Sequence, residues 1–250
     1  KASPTAVLQY GDHGGAIGYL VGEENRGLEY MFIMMNSARF AVGMQGIAVA
    51  ERAYQAAVAY AKDRIQSRDL AGSPGPVAII HHPDVKRMLM SMRAQTEAAR
   101  ALAYVAAAAH DAAHHHSDEA TRKANQAFYE FMVPIVKGWS TELSIDVAST
   151  GVQVHGGMGF IEETGAAQYY RDARILTIYE GTTAIQANDL IGRKTARDGG
   201  ALAKQIIAQV RATEAALKAA GSDELAAIGK RLSEASTALE QIVDYIAATA

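Results

Sequence analysis

Apolar residues recur every three or four positions through most of the chain, which is the spacing of one face of an α-helix. This pattern covers residues 28–68, 83–110 and 120–150. The first of these segments predicts a core helix or a helix pair, and its small residues, such as Gly43 and Gly46, would let a neighbouring helix come close.

Two prolines and the only tryptophan refine these helices. Pro83 suits the first position of the second helix. Pro134 would kink the third helix or divide it in two. Trp139 is predicted to be a core residue, since a large aromatic side chain gains most from burial.

The pattern changes at both ends of the chain. Apolar runs at residues 6–10 and 16–21 flank a glycine-rich turn, which indicates a β-hairpin. Two strands alone do not form a stable sheet, so we expect them to be the end of a strand-rich domain. After the break at residues 198–200, two amphipathic helices follow, the second with Ser222 as a natural N-cap.

Composition supports a helical protein and excludes several functions. The 250 residues are 49% hydrophobic but only 7% aromatic, with long alanine runs, which favours closely packed helices. A net charge of −3 gives no electrostatic reason to expect nucleic acid or an anionic membrane as partner. No apolar run reaches the length of a membrane span, about 20 residues. We therefore expect a soluble, cytoplasmic, all-α protein.

Metal chemistry receives little support from the sequence. The chain has no cysteine, which excludes disulfides and thiolate ligands. His114, His115 and His116 are adjacent, and adjacent residues on a helix point about 100° apart, so they do not converge on one ion. We interpret them as a solvated helix end and predict no metal site.

Polar and turn-forming residues are most dense between residues 153 and 189. Gly156 and Gly157 would let the backbone approach a ligand closely. Glu180 lies in a Tyr-Glu-Gly-Thr sequence, with apolar neighbours that would partly desolvate its carboxylate. Thr183 and Gln186 have the spacing of a capping box, so a helix start alone would also explain this turn.

The order and spacing of these motifs resemble those of the flavin-dependent acyl-CoA dehydrogenases, in their C-terminal helical domain. The matching sequences are Gln-Val-His-Gly-Gly from Gln153, Tyr-Arg-Asp-Ala-Arg from Tyr170, and Ile-Tyr-Glu-Gly-Thr from Ile178. The resemblance extends over residues 7–195. It implies a four-helix up-and-down bundle at residues 28–196, preceded by the end of a middle β domain at residues 1–27.

The resemblance also implies that further domains complete the protein. Residues 197–250 are similar to the start of an extra C-terminal helical region in longer bacterial members. The chain would then be a fragment that is inactive alone.

The resemblance implies a role for particular residues. Glu180 would be the base that removes the α-proton of an acyl-CoA, and Gly181 would lie against that substrate. Asn36 and Arg39 match positions that contact acyl-CoA, although polar residues on a solvated helix face are an equal alternative. The residues implied to contact FAD, several of them the FAD of a neighbouring subunit, are Arg64, Gln153, Val154, His155, Gly156, Gly157, Thr182, Thr183 and Ala184.

Two of the motifs allow a further interpretation. Ser67 stands where the family has an aromatic residue after the Arg64 position, so that aromatic contact is absent. Arg171, Asp172 and Arg174 are interpreted as a structural ion-pair network rather than as a substrate clamp.

The implied reaction is oxidation of an acyl-CoA to the trans-2-enoyl-CoA, with electrons passing to an electron-transfer flavoprotein. The family forms homodimers or homotetramers. An acyl-CoA oxidase and a non-enzymatic helical interaction module remain as alternatives.

Overall fold

The structure is a computed structural model that describes residues 6–249, and within that range the chain is helical, which confirms the predicted all-α class. The α-helices are α1 (Gly27–Asp63), α2 (Pro83–His115), α3 (Glu119–His155), α4 (Gly157–Phe160), α5 (Ala166–Leu176), α6 (Thr183–Asn188), α7 (Ala201–Ala219) and α8 (Asp223–Thr249). Short 3₁₀ turns lie at Ile79–His81 and Ala196–Asp198, and a π-helical turn at Asp189–Thr195 follows α6 directly.

Residues 6–35 form one compact unit, in which the predicted hairpin is wrong. The described part of this unit contains turns and the start of α1 but no β-strand. Val7 and Ile17 are 98% and 90% exposed. Two isolated strands have no surface to bury these side chains against, so they gain nothing by pairing. The turn before α1 is fixed instead by the backbone N–H of Glu23, which donates to the Tyr30 hydroxyl at 3.1 Å.

Residues 36–249 form the second unit, in which α3 contacts α1, α2, α5, α6 and α7. The approach of α1 to α3 depends on glycine, as predicted. A Cβ on Gly43 would lie 2.7 Å from Val136 Cγ1, and a Cβ on Gly46 would lie 2.7 Å from the Ser140 carbonyl oxygen. The two backbones are therefore in direct contact at this crossing.

The long helices are less interrupted than the sequence predicts. Residues 27–63 form a single helix rather than a pair, and α3 continues past Pro134 without division. An interior proline costs about 3 kcal/mol, and burial of Pro134 and its neighbours among other helices offsets that cost. The prediction for Trp139 is wrong, because its side chain is 43% exposed.

The two predicted amphipathic helices after residue 200 are present as α7 and α8, and they pack against each other. Ser222 lies at the start of α8, where its hydroxyl accepts from the Leu225 N–H at 3.4 Å. Glu214 on α7 is buried and pairs with both Arg211 and Lys218. Arg211 reaches across to Glu240 on α8 at 3.1 Å, so a charge network joins the two helices.

The histidines at the end of α2 are exposed, and His114 Nδ1 lies 2.8 Å from the His110 carbonyl oxygen. Among the described helices, none is long and apolar enough to cross a membrane.

Candidate functional site

The predicted cofactor residues at the end of α3 line one groove, of about 500 Å³. We call it the α3-end groove. It brings Arg64 together with Gln153 and the glycine pair, although nearly 90 residues separate them in sequence. Its lining residues are Tyr60, Arg64, Gln66, Ile79, His82, Val85, Met88, Gln153, Val154, His155, Gly156, Gly157 and Met158.

The loop after α1 is fixed where it enters this groove. The Ile79 N–H donates to the Arg64 carbonyl oxygen at 2.8 Å, and Gln66 and Val77 are joined by a backbone hydrogen bond of 2.9 Å. His82 Nε2 lies 2.8 Å from the Gln66 carbonyl oxygen. The backbone of Arg64 is therefore held on the rim of the groove, even though the loop that follows is rich in glycine and proline.

The Gln153–Gly157 stretch ends one helix and begins the next. Gln153, Val154 and His155 form the last turn of α3, and Gly156 ends that helix with φ +62°. A side chain is strained at this angle, which explains the glycine. The His155 ring is buried, stacks on Tyr60 at 4.4 Å and lies 2.7 Å from the Gly151 carbonyl oxygen through Nδ1.

The open side of the groove presents free polar groups. Within residues 6–249 no carboxylate pairs with the Arg64 guanidinium. The Gln153 side chain and the backbones of Gly156 and Gly157 are exposed, and a Cβ on either glycine would meet no atom within 4 Å. An unpaired guanidinium beside exposed amides is a suitable surface for an anion such as a diphosphate.

Glu180 lies in a second place, the turn at residues 177–182 between α5 and α6, which we call the Glu180 turn. The backbone of Glu180 has φ +55°, and that of Gly181 has φ +88°. A left-handed conformation at a residue other than glycine costs about 1–2 kcal/mol and persists where its surroundings impose it. The Glu180 side chain is half-buried, and no described residue donates a hydrogen bond to its carboxylate.

Three helices contact the Glu180 turn through polar side chains. The Tyr179 hydroxyl donates to Gln45 Oε1 on α1 at 2.5 Å. The Thr183 hydroxyl, one residue after the turn, donates to Glu142 Oε1 on α3 at 2.5 Å. From α6, Gln186 Nε2 donates to the Gly181 carbonyl oxygen at 3.1 Å. The turn is therefore fixed both before and after Glu180.

The start of α6 differs by one residue from the predicted capping box. Thr182, not Thr183, is the N-cap, and its hydroxyl accepts from the Ile185 N–H at 3.4 Å. Gln186 then lies too far along the helix to close the box, and its amide bonds back to Gly181 instead. Ala184 is exposed in the first turn of α6.

Lys137 on α3 is a contact that the sequence did not predict. Its side chain is fully buried, and its Nζ donates to the Gly181 carbonyl oxygen at 2.6 Å. Burial lowers the pKa of Lys137, and the nearby Arg39 cation lowers it further. The carboxylates of Glu142 and Glu180 oppose that shift.

The predicted substrate residues on α1 lie in different surroundings. Arg39 is buried, and its Nη1 pairs with Asp189 Oδ2 at 3.2 Å. Asn36, one turn earlier on α1, is half-exposed. Arg39 therefore has a structural partner within the bundle, and contact of either residue with a substrate stays a prediction.

Arg171, Asp172 and Arg174 on α5 bond to other residues rather than to one another. Arg171 pairs with Glu162 at 3.3 Å, while Asp172 accepts from Gln168 Nε2 at 2.6 Å. Arg174 Nη1 donates to the Thr177 hydroxyl at 2.6 Å. All three side chains bond to other residues of this chain, but they do not form the predicted ion-pair network.

The α3-end groove and the Glu180 turn are distinct places on the same helix. Lys137, which contacts the Glu180 turn, precedes Gln153 by 16 residues on α3, which corresponds to about 24 Å of helix. Arg64 and Gln153–Gly157 thus converge, and Glu180–Ala184 cluster separately. One ligand held at the groove would have to extend that far to reach the Glu180 carboxylate.

Comparison with known proteins assigns the class to which this arrangement belongs. Residues 25–195 match the family model of the acyl-CoA dehydrogenase C-terminal domain. The chain therefore belongs to the acyl-CoA dehydrogenase family, whose members are FAD flavoproteins that act on acyl-CoA thioesters.

Two individual relatives show how similar the chain is to members of this family. The 3-methylmercaptopropionyl-CoA dehydrogenase of Ruegeria pomeroyi is 59% identical over 251 residues, which cover 100% of this chain and 42% of that protein. The broad-specificity linear acyl-CoA dehydrogenase FadE5 of Mycobacterium tuberculosis is 39% identical over 84% of this chain and 36% of its own length. The chain thus spans less than half the length of these curated relatives.

Solved structures show the same fold. Butyryl-CoA dehydrogenase from Megasphaera elsdenii aligns with a TM-score of 0.54 and 29% identity, covering 69% of this chain and 39% of that one. The structure described as Bd2924 apo-form aligns with a TM-score of 0.65 over 90% of this chain and 43% of its own, at 22% identity.

Proposed function

We propose that this chain supplies the helical part of an FAD-dependent acyl-CoA dehydrogenase in which Glu180 is the catalytic base. The observation that carries the proposal is the Glu180 turn: a half-buried carboxylate on left-handed backbone, with contacts from α1, α3 and α6 on both sides. A general base must be held in place but keep its oxygens free. The contacts on both sides of Glu180 and its unbonded carboxylate support this assignment.

The proton step can be described from the residues of this chain. Glu180 takes the proton from the α-carbon of the thioester, so that the electrons of that C–H bond form the new α,β double bond as hydride leaves the β-carbon. Bound FAD supplies the acceptor for that hydride. The Lys137, Gln186 and Glu142 contacts keep the Glu180 turn from rotating while the proton moves.

The α3-end groove fits part of an FAD. The unpaired Arg64 guanidinium suits a diphosphate, and the exposed backbones of Gly156 and Gly157 permit close approach of a planar or charged group. Because the groove and the Glu180 turn are separated by about 24 Å of α3, we propose that they serve two different flavins in an oligomer.

The remaining assignments follow the family and the names of its relatives. We propose Thr182, Thr183 and Ala184 as contacts to the flavin beside Glu180, and Gly181, Asn36 and Arg39 as residues near the acyl-CoA. Electrons would pass to an electron-transfer flavoprotein in the cytoplasm. The acyl group would be a short thioether or linear chain, as the names of the two relatives indicate. We expect this chain alone to show no turnover, because residues outside it would complete both sites.

The test is Glu180→Gln in the full-length protein, assayed with short acyl-CoA substrates and an artificial electron acceptor. Loss of a general base lowers the rate by about 10²–10⁴-fold. Glu163→Gln, an exposed glutamate ahead of α5, is the matched control and should keep full activity. Retained dehydrogenase activity in Glu180→Gln would exclude Glu180 as the base. Production of hydrogen peroxide by the wild-type enzyme would assign an oxidase instead.

A further inference from the structure

Lys137 is an unusual residue for the position that it occupies. A lysine is almost never fully buried unless it is paired, because removal of its charge from water is costly. The Lys137 side chain has no exposed surface, and the residues that precede it on α3, from Phe131 to Val136, are all apolar. The cost of burying this ammonium must therefore be offset by a specific interaction.

An ion pair does not offset the cost of burying Lys137. Within residues 6–249 no carboxylate lies within 4 Å of Lys137 Nζ. The carboxylate of Asp189, on the π-helical turn that follows α6, is paired with Arg39 instead. The one hydrogen-bond partner of the ammonium in the described chain is the carbonyl oxygen of Gly181, at 2.6 Å.

This hydrogen bond fixes the most strained part of the Glu180 turn. Glu180 and Gly181 have φ angles of +55° and +88°, so two successive residues are left-handed. The Gly181 carbonyl oxygen accepts from both Lys137 and Gln186, the latter at 3.1 Å. Two buried donors on one oxygen hold the Gly181–Thr182 peptide group in a single orientation. Gln186 Nε2 also donates to the Glu180 carbonyl oxygen at 3.5 Å, so the backbone that follows the Glu180 side chain is fixed at both peptide groups.

We propose that Lys137 is a positioning residue, which holds the Glu180–Gly181 backbone in its left-handed conformation through the Gly181 carbonyl oxygen and thereby directs the Glu180 carboxylate. The effect on catalysis rests on the proposed role of Glu180. The effect on the backbone does not, so the two are tested separately.

The first experiment measures the backbone by amide hydrogen exchange and mass spectrometry in the full-length protein. Lys137→Met keeps the length of the side chain and removes its donor and charge. Amides that the turn protects, including those of Thr183 and Gln186, should exchange about tenfold faster or more, since a hydrogen bond from a charged group is lost. Lys194→Met is the matched control, because it removes a partly buried ion pair to α3 at Glu130, 3.3 Å away.

The outcomes of this experiment are distinct. Faster exchange at residues 177–186 in Lys137→Met, with those residues unchanged in Lys194→Met, supports the proposal. Wild-type exchange at residues 177–186 in Lys137→Met overturns it. An equal rise in exchange throughout α1 and α3 also overturns it, because Lys137 would then stabilise the bundle in general.

A second variant keeps the proposal falsifiable if Lys137→Met does not fold. Gln186→Leu removes the other donor to the same oxygen. If two donors hold this peptide, Gln186→Leu should also raise exchange at residues 177–186 while leaving α2 unchanged. Unchanged exchange in this variant would show that the Gly181 carbonyl oxygen does not govern the turn.

The catalytic consequence has its own measurement. With a base held less well, Lys137→Met should lower kcat by about tenfold or more with little change in KM, and the kinetic isotope effect of α-deuterated substrate should rise. A folding defect would reduce the fraction of active enzyme and leave the isotope effect unchanged. If Glu180→Gln proves fully active, the proposed function fails, while the exchange measurement still decides whether Lys137 fixes the turn.

Discussion

Gly46→Ala tests the close crossing of α1 and α3. The added Cβ would lie 2.7 Å from the Ser140 carbonyl oxygen and 3.0 Å from its carbonyl carbon. Contacts below 3.0 Å with backbone atoms cannot be relieved by a rotamer change, so α1 and α3 must separate by several tenths of an ångström. Overpacking of this kind costs about 1–3 kcal/mol.

The gain in helix propensity opposes that cost but does not cancel it. Replacing glycine by alanine inside a helix contributes about 0.5–1 kcal/mol. We therefore expect Gly46→Ala to lower the free energy of unfolding by about 1 kcal/mol, the difference between the mid-range values of these two terms.

Gly151→Ala is the matched control at the same pair of helices. Its Cβ would lie 3.5 Å from Met92 Cε and 3.6 Å from the Ala53 carbonyl oxygen, which are ordinary contacts. Because the added methyl group causes no clash, only the gain in helix propensity acts, and this variant should be more stable than wild type by about 0.5–1 kcal/mol. Urea unfolding followed by circular dichroism would show the two midpoints moving in opposite directions. A Gly46→Ala midpoint at or above that of wild type would refute the inferred backbone contact.

Two further predictions concern the α3-end groove and the C-terminal helices. Arg64→Ala in the full-length protein should weaken FAD retention about tenfold or more through loss of a charge-assisted contact, measured by flavin release on dilution. Arg68→Ala, an exposed arginine in the same loop, should retain wild-type affinity. The Lys218 ammonium and a neighbouring guanidinium lower the pKa of Glu214 from 4.5 to about 2, so its stabilisation is present above pH 4.5 and is lost as the pH falls through about 2. Melting temperatures over this range should fall more steeply for wild type than for Glu214→Gln, whereas Glu234→Gln should follow wild type.

The sequence predicted the helices well where the pattern was local and repeated. Pro83 begins α2, as expected from its preference for the first helical position, and Gly43 and Gly46 lie where two helices touch. The predictions that were wrong depend on residues that are distant in sequence. The hairpin at residues 6–21 needs a sheet to pair with, and Trp139 is exposed because the face of α3 that is buried depends on which helices pack against it.

The candidate site likewise contains residues that a local motif predicts and residues that only the packing of the helices brings together. The Tyr-Glu-Gly-Thr motif predicts Glu180 as the candidate base, but no local pattern reveals that its backbone is left-handed. Lys137 was missed, although a single lysine between Val136 and Gly138 in a run of apolar residues is a detectable anomaly. Its partner lies 44 residues away at Gly181, and only the packing of α6 against α3 brings the two together.

The path of the chain explains why one dense segment of sequence supplies two separate places. The chain leaves α3 at Gly156, and α5, which packs along α3, covers about 16 Å with its 11 residues. The Glu180 turn that follows lies against Lys137 and Glu142, in the middle of α3, rather than beside Gln153 at its end. Short sequence separation therefore does not indicate a common ligand here. Under the proposed function, one rigid helix would present Gly156 and Gly157 to one flavin and support the base that faces another, and a partner subunit would supply the second flavin.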